Sequence, residues 1–167
     1  LQVMPMLGRF DAVVTDPPYG VGLVQKTSRY ATGDAFKAYT DDEETIIPLV
    51  VAAVEQAVKM AKRVIVTPGV RLLTFYPRPM SIGTIFSPGA GGLDSWGFGC
   101  NNPILYYGKC PYLANGKGSR PNSFASNVAN PYAEGRVEGH PCPKPISWMA
   151  WLVARASTDE GDTILDP

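Results

Sequence analysis

The sequence predicts an α/β fold, a sheet of about five strands with flanking helices, on three observations. Short apolar runs bounded by turn-formers recur at 11–15, 63–67, 82–86, 104–107 and 163–166, and most carry the β-branched residues that strands favour. Two longer stretches, one after Thr40 and one after Pro145, repeat apolar residues at helical spacing. The chain has 167 residues, 45% of them hydrophobic, which is enough for a single domain (1–167) with a sizeable core.

Taken in order, Leu1, Met4 and Leu7 have the spacing of a helix tail. Residues 11–15 then read as a strand buried on both faces, with Val13 and Val14 at its centre. Asp16-Pro17-Pro18-Tyr19-Gly20 is a stiff turn at its carboxyl end, because each proline fixes its own φ and holds the residue before it extended. Residues 21–39 form a polar loop, long enough to expect a functional role.

Thr40-Asp41-Asp42-Glu43 has the form of a capping box. The helix behind it is expected to bury Ile47, Val50, Val54, Ala57, Val58 and Ala61. Pro48 leaves two alternatives, a regular helix beginning near Thr45 or a kink at the proline. Pro68-Gly69 ends the second strand, and a short helix is expected over 70–76, closed by Pro77. The glycine-rich connection 88–99 carries Trp96 and Phe98, read as plugs on the core in preference to base-stacking platforms.

Residues 109–139 are rich in Gly, Asn, Ser and Pro and poorly periodic. Pro145 opens a helix with Ile146, Met149, Leu152 and Val153 on its apolar face and its end near Ser157. The free N–H groups at its start suit a carboxylate. The turn 159–162 leads into the last strand.

Formal net charge is zero, which argues against a tight nonspecific nucleic-acid binder. Lys26, Arg29 and Lys37 nevertheless gather in the loop after the turn, and Lys109, Lys117, Arg120 and Arg136 in the later loop-rich stretch. Two readings stay open for them, contacts to a phosphate backbone or a scatter of solvated charges. Cys100, Cys110 and Cys142 are odd in number and lack a CxxC pairing, so reduced thiols, no metal site and a cytoplasmic location are expected. No apolar run reaches the length of a membrane span.

The turn is where chemistry is expected. An acidic acceptor (Asp16), a backbone acceptor (Pro17) and a flat ring (Tyr19) in one rigid corner suit an exocyclic amino group on a heteroaromatic base. Two acceptors gripping its N–H bonds free a lone pair that is otherwise delocalised, and the ring offers a stacking surface for a base taken out of its duplex. An ordinary strand exit with prolines at the rim is the alternative.

This turn, in the form Asp-Pro-Pro-Tyr-Gly, resembles the catalytic motif of the DNA amino-methyltransferases, which methylate adenine N6 or cytosine N4 using S-adenosylmethionine. His140-Pro141-Cys142-Pro143-Lys144-Pro145 is similar to that family's HPxxKP segment, and Thr163-Ile164-Leu165-Asp166-Pro167 looks like the strand leading into its cofactor loop. Catalytic motif first and cofactor motif last is the permuted order of one subgroup.

The resemblance implies a partial Rossmann-like, S-adenosylmethionine-dependent methyltransferase fold acting on a base flipped from double-stranded DNA, adenine favoured, in a restriction-modification setting. It implies catalytic roles for Asp16, Pro17, Pro18 and Tyr19, and cofactor contacts from Asp16, His140, Lys144, Pro145, Asp166 and Pro167. DNA contacts are expected from Lys26, Arg29, Lys109, Lys117 and Arg120, with 109–139 as a small target-recognition region.

Family members continue past Leu-Asp-Pro with Phe-x-Gly-x-Gly. An incomplete catalytic domain, inactive and weak in cofactor binding by itself, is therefore expected. The last strand should lie beside the first, its open edge frayed or paired with a second copy. Two alternatives remain: methylation of RNA or a protein amide, for which the motif order is generally reversed, and a nucleic-acid-binding fragment without catalysis.

Overall fold

The computed structural model describes residues 3–20, 42–88, 93–126, 143–158 and 161–167. A short 3₁₀ turn (Met4–Met6) leads into β1 (Phe10–Thr15), and α1 (Glu43–Met60) runs without a loop into β2 (Ala61–Val66). Next come β3 (Ser81–Phe86), β4 (Leu93–Asp94), β5 (Gly97–Phe98) and β6 (Asn101–Gly108). The remaining elements are α2 (Pro111–Ala114), β7 (Phe124–Ala125), α3 (Ile146–Ala156) and β8 (Ile164–Leu165).

The fold is α/β, with a mixed six-stranded sheet in the order β7-β3-β6-β2-β1-β8. β8, β1 and β2 are parallel, and β6 runs antiparallel to both β2 and β3. Strand side chains alternate between faces, so each sheet face has its own core. Val13, Val64, Val66, Leu105 and Tyr107 pack under α1. Ala12, Val14, Ile65, Ile85 and Ile104 pack under Trp148, Leu152 and Ala156 of α3. Among the described residues, no helix is long and apolar enough to cross a membrane.

Asp42 caps α1 by accepting from the Thr45 N–H at 2.9 Å, and Glu43 and Glu44 follow in the first turn. The helix therefore begins at Glu43, and Pro48 lies inside it. Its missing N–H leaves the Glu44 carbonyl without its usual helical donor, and both residues face solvent, where water can serve. That orientation corrects the expected stripe. Ile46, Val50, Val54, Ala57 and Met60 are buried, while Val58 is 43% exposed.

In α3 the expected face also shifts. Trp148, Leu152, Arg155 and Ala156 are buried, Met149 is partly buried, and Ile146 and Val153 are exposed. The helix rolls to bury its largest apolar side chain, whose indole N–H finds the Ser126 hydroxyl at 2.9 Å.

Three other expectations are corrected. Residues 70–76 form turns with i→i+3 bonds (Phe75 N–H to Leu72 C=O, 3.0 Å) and no α-helix, since Leu72 and Tyr76 are drawn into the core just before Pro77. Trp96 and Phe98 are not plugs; they are 98% and 80% exposed on a β4–β5 hairpin whose two-residue strands do not join the main sheet. The last strand is shorter than expected but lies beside β1 as the resemblance implies. It is anchored where Thr163 donates to Asp11 Oδ2 through its N–H (3.0 Å) and hydroxyl (2.9 Å).

Candidate functional site

Parallel pairing of β1 with β2 brings their carboxyl ends together, with Thr15 opposite Val66. One residue further, the Thr67 N–H donates to the Thr15 carbonyl at 3.1 Å. The chain leaves both strands at this point, so Asp16 and Thr67 project side by side. The Thr67 hydroxyl donates to Asp16 Oδ1 at 2.5 Å, and the Tyr19 hydroxyl donates to the same oxygen.

The second carboxylate oxygen is engaged from across the molecule. Lys144 Nζ lies 3.1 Å from Asp16 Oδ2, with side-chain exposures of 11% for the lysine and 23% for the aspartate. The same ammonium sits 4.4 Å from the centre of the Tyr19 ring, a cation–π distance. Pro145, buried, is the N-cap of α3, so the lysine is delivered by the residue that opens this helix.

Tyr19 rests on Gly69. A Cβ at that glycine would stand 2.9 Å from the Tyr19 ring carbon Cγ, and Gly69 has φ of +66°, a conformation costly for other residues. The proline corner, the second strand's exit and the entry to α3 thus converge on one carboxylate.

This corner borders a cavity of about 820 Å³. Asp16, Lys144 and Asp166 are among its lining residues with Pro17, Pro18 and Pro167, and Val50, Val54, Met149 and Leu165 are among its apolar ones. Partial burial of the Asp166 carboxyl pushes its pKa above the ordinary carboxylate value, and the nearby Asp16 charge adds to this, against a hydrogen bond from Thr15. Burial, the Tyr107 phenol and the Asp16 charge likewise hold the Tyr76 phenol above its usual range, so it stays neutral.

The structure therefore brings Asp16, Pro17, Pro18, Tyr19, Lys144, Pro145, Asp166 and Pro167 together. It does not join Lys109 and Arg120 to them. β6 runs antiparallel to β2, so the chain leaves it at the opposite end of the sheet, where both residues line a different cavity. Arg120 there donates to the carbonyls of Ala154 (2.7 Å) and Arg155 (3.0 Å), capping the end of α3, and stacks 3.6 Å over the Tyr112 ring. Lys117 Nζ lies 5.9 Å from the centre of that ring. Lys26, Arg29 and His140 lie outside the described residues.

Sequence reasoning passed over Thr67 and Gly69. Their signal was their position immediately beyond the strand paired with β1, beside the exit that carries Asp16. Among the described residues, no group of three or more His, Cys, Asp or Glu side chains could hold a metal ion. No protein-family model matches the chain, and no curated protein matches its sequence.

Proposed function

We propose that the corner at Asp16 is the catalytic site of an S-adenosylmethionine-dependent methyltransferase acting on the exocyclic amine of a base flipped from duplex DNA, adenine N6 favoured over cytosine N4. The observation that carries this reading is the meeting of Asp16, Tyr19 and Lys144 at the carboxyl end of a central parallel strand, the end at which open α/β sheets bind ligands. The parallel trio β8-β1-β2, with α1 as the crossover, supports a partial Rossmann-like fold of that enzyme class.

The residues around the cavity fit the cofactor by charge. A zwitterionic amino-acid end needs one cation and one anion, and Lys144 stands at the cavity beside Asp16 and Asp166. Val50, Val54, Met149 and Leu165 offer an apolar wall for a purine. When bound, S-adenosylmethionine supplies an electrophilic methyl group. The chain's own task is orientation: the Asp16 carboxylate accepts from the amine N–H, and the Tyr19 ring stacks on the base. Lys144 neutralises charge at the carboxylate until the amine arrives. No strong base is required, because the nitrogen sheds a proton once it has become cationic; positioning then supplies much of the acceleration.

The test uses the purified chain with S-adenosylmethionine and duplex DNA, and mass spectrometry of the hydrolysed nucleosides. N6-methyladenine should form, and Asp16→Ala should lower its rate by about 100-fold or more. Undiminished methylation by Asp16→Ala refutes the role, and methylated RNA or glutamine in place of DNA redirects the substrate class. Titration calorimetry with S-adenosylmethionine measures cofactor binding separately.

A further inference from the structure

The second cavity, also about 820 Å³, lies at the opposite end of the sheet, between β2, β6, α2 and the end of α3. Its lining includes Arg63, Lys109, Arg120 and Arg155 and, among the described residues, no Asp or Glu. Protein acceptors match these cations only in part: Arg63 Nε donates to the Asp11 carbonyl at 3.1 Å, Arg120 donates to the carbonyls of Ala154 and Arg155, and the Arg155 charge lies beside the Tyr106 phenol. Arg155 is only 9% exposed, and its Nε and Nη1 atoms are buried without a hydrogen-bond partner. Arg63 Nη1 and Arg120 Nε are likewise buried and unpartnered. Among the described residues the one carboxylate paired with any of them is Asp162, at 3.8 Å from Arg63 Nη2, beyond a good hydrogen bond.

A buried lysine can relieve such a deficit by losing its proton, but a guanidinium cannot. Leaving several of its donors dry and unpaired costs far more than burying a methylene chain. An oxyanion between the guanidinium groups would remove the deficit, and a phosphoryl group matches their fork of N–H donors. The cavity is large enough for more than an ion, since ligand sites span roughly 300–1,000 Å³. Its remaining lining is largely apolar and aromatic, including Ile65, Met80, Tyr107 and Leu113, with Ser81 and Asn122 as polar members.

We propose that this cavity binds a phosphoryl oxyanion, with Arg155 and Arg63 as its principal donors and the apolar wall open to the organic part of a small phosphate ester. The concave setting and the burial of Arg155 favour a small molecule over a nucleic-acid backbone. The inference does not depend on methyl transfer, which concerns the other end of the sheet, so either can fail without the other.

Thermal unfolding and titration calorimetry of the full chain, with inorganic phosphate and with adenosine monophosphate as probes and sodium chloride at matched ionic strength as control, test it. At a hundredfold excess over Kd, the unfolding midpoint should rise by about 5 °C or more. Arg155→Met should weaken binding at least tenfold, and without phosphate it should unfold no more easily than the parent, because a buried cation with two unpartnered nitrogens has been replaced by an apolar chain. Arg63→Met, which leaves α3 untouched, provides a second variant with the same expected loss of binding. Tighter binding of the nucleotide identifies an esterified ligand, and equal affinity identifies free phosphate; both support the site. No binding of either probe above the chloride control, or binding undiminished in both variants, overturns it.

Discussion

Removing the Asp16 carboxylate leaves three donors without their acceptor: the hydroxyls of Tyr19 and Thr67 and the ammonium of Lys144. The two hydroxyls can turn toward water or each other, but the ammonium, on a side chain only 11% exposed, has fewer alternatives. Breaking one partner of a buried ion pair costs about 3–5 kcal/mol, and the 23% exposure of Asp16 places this pair at the low end, about 3 kcal/mol for Asp16→Ala. Lys144→Met removes the other partner but leaves the carboxylate two hydroxyl donors, so about 1–2 kcal/mol is expected. In the double variant no charge is stranded, and its loss should fall short of the sum by about 1–2 kcal/mol. Urea unfolding followed by circular dichroism, on all four proteins at pH 7, measures that coupling. A value within about 0.5 kcal/mol of zero would mean that the lysine is held independently of the carboxylate, and the description of a shared lock would be wrong.

Gly69→Ala should destabilise by about 1–2 kcal/mol from its left-handed backbone alone, and more as the new methyl pushes the Tyr19 ring; a fall of about 3–8 °C in Tm checks this. Trp148→Phe should cost about 1 kcal/mol through the lost bond to Ser126 and Trp148→Ala about 3–5 kcal/mol, and a Trp148→Phe loss near zero in urea titrations would show that the indole N–H contributes nothing. For Asp166, a raised native pKa means that the folded protein holds the proton more tightly than the unfolded chain. Its contribution therefore improves stability as pH falls through the raised value toward the ordinary 3.8, and is lost as pH rises. Asp166→Asn should lack that component and be at least as stable as the parent at pH 7, which urea midpoints between pH 4 and 7 will test.

The strands around 11–15, 63–67, 82–86 and 104–107 were legible because uninterrupted apolar runs between turn-formers leave little else for the backbone to do. The acids at the start of α1 were legible, although the cap is Asp42 and not the first residue of a Thr40–Glu43 box, and the convergence of Asp16, Tyr19 and Lys144 was legible from the resemblance of their motifs. What escaped depended on partners distant in sequence. The strands at 93–94, 97–98 and 124–125 are two residues each, too short for periodicity to register. The roll of α3 was decided by an indole meeting Ser126, and that of α1 by where a proline could leave a carbonyl to water. Lys109 and Arg120 were grouped with the turn because charge is visible in a sequence, whereas the reversal of β6 that carries them away is not.

The lock on Asp16 has a consequence for selectivity. Three donors already hold its oxygens, so a visitor that takes the place of any of them must bring a proton donor of its own. A primary amine can make that exchange nearly even. A carbonyl, an ether or a methyl in the same position would strand the ammonium and both hydroxyls, and would be refused without any steric barrier.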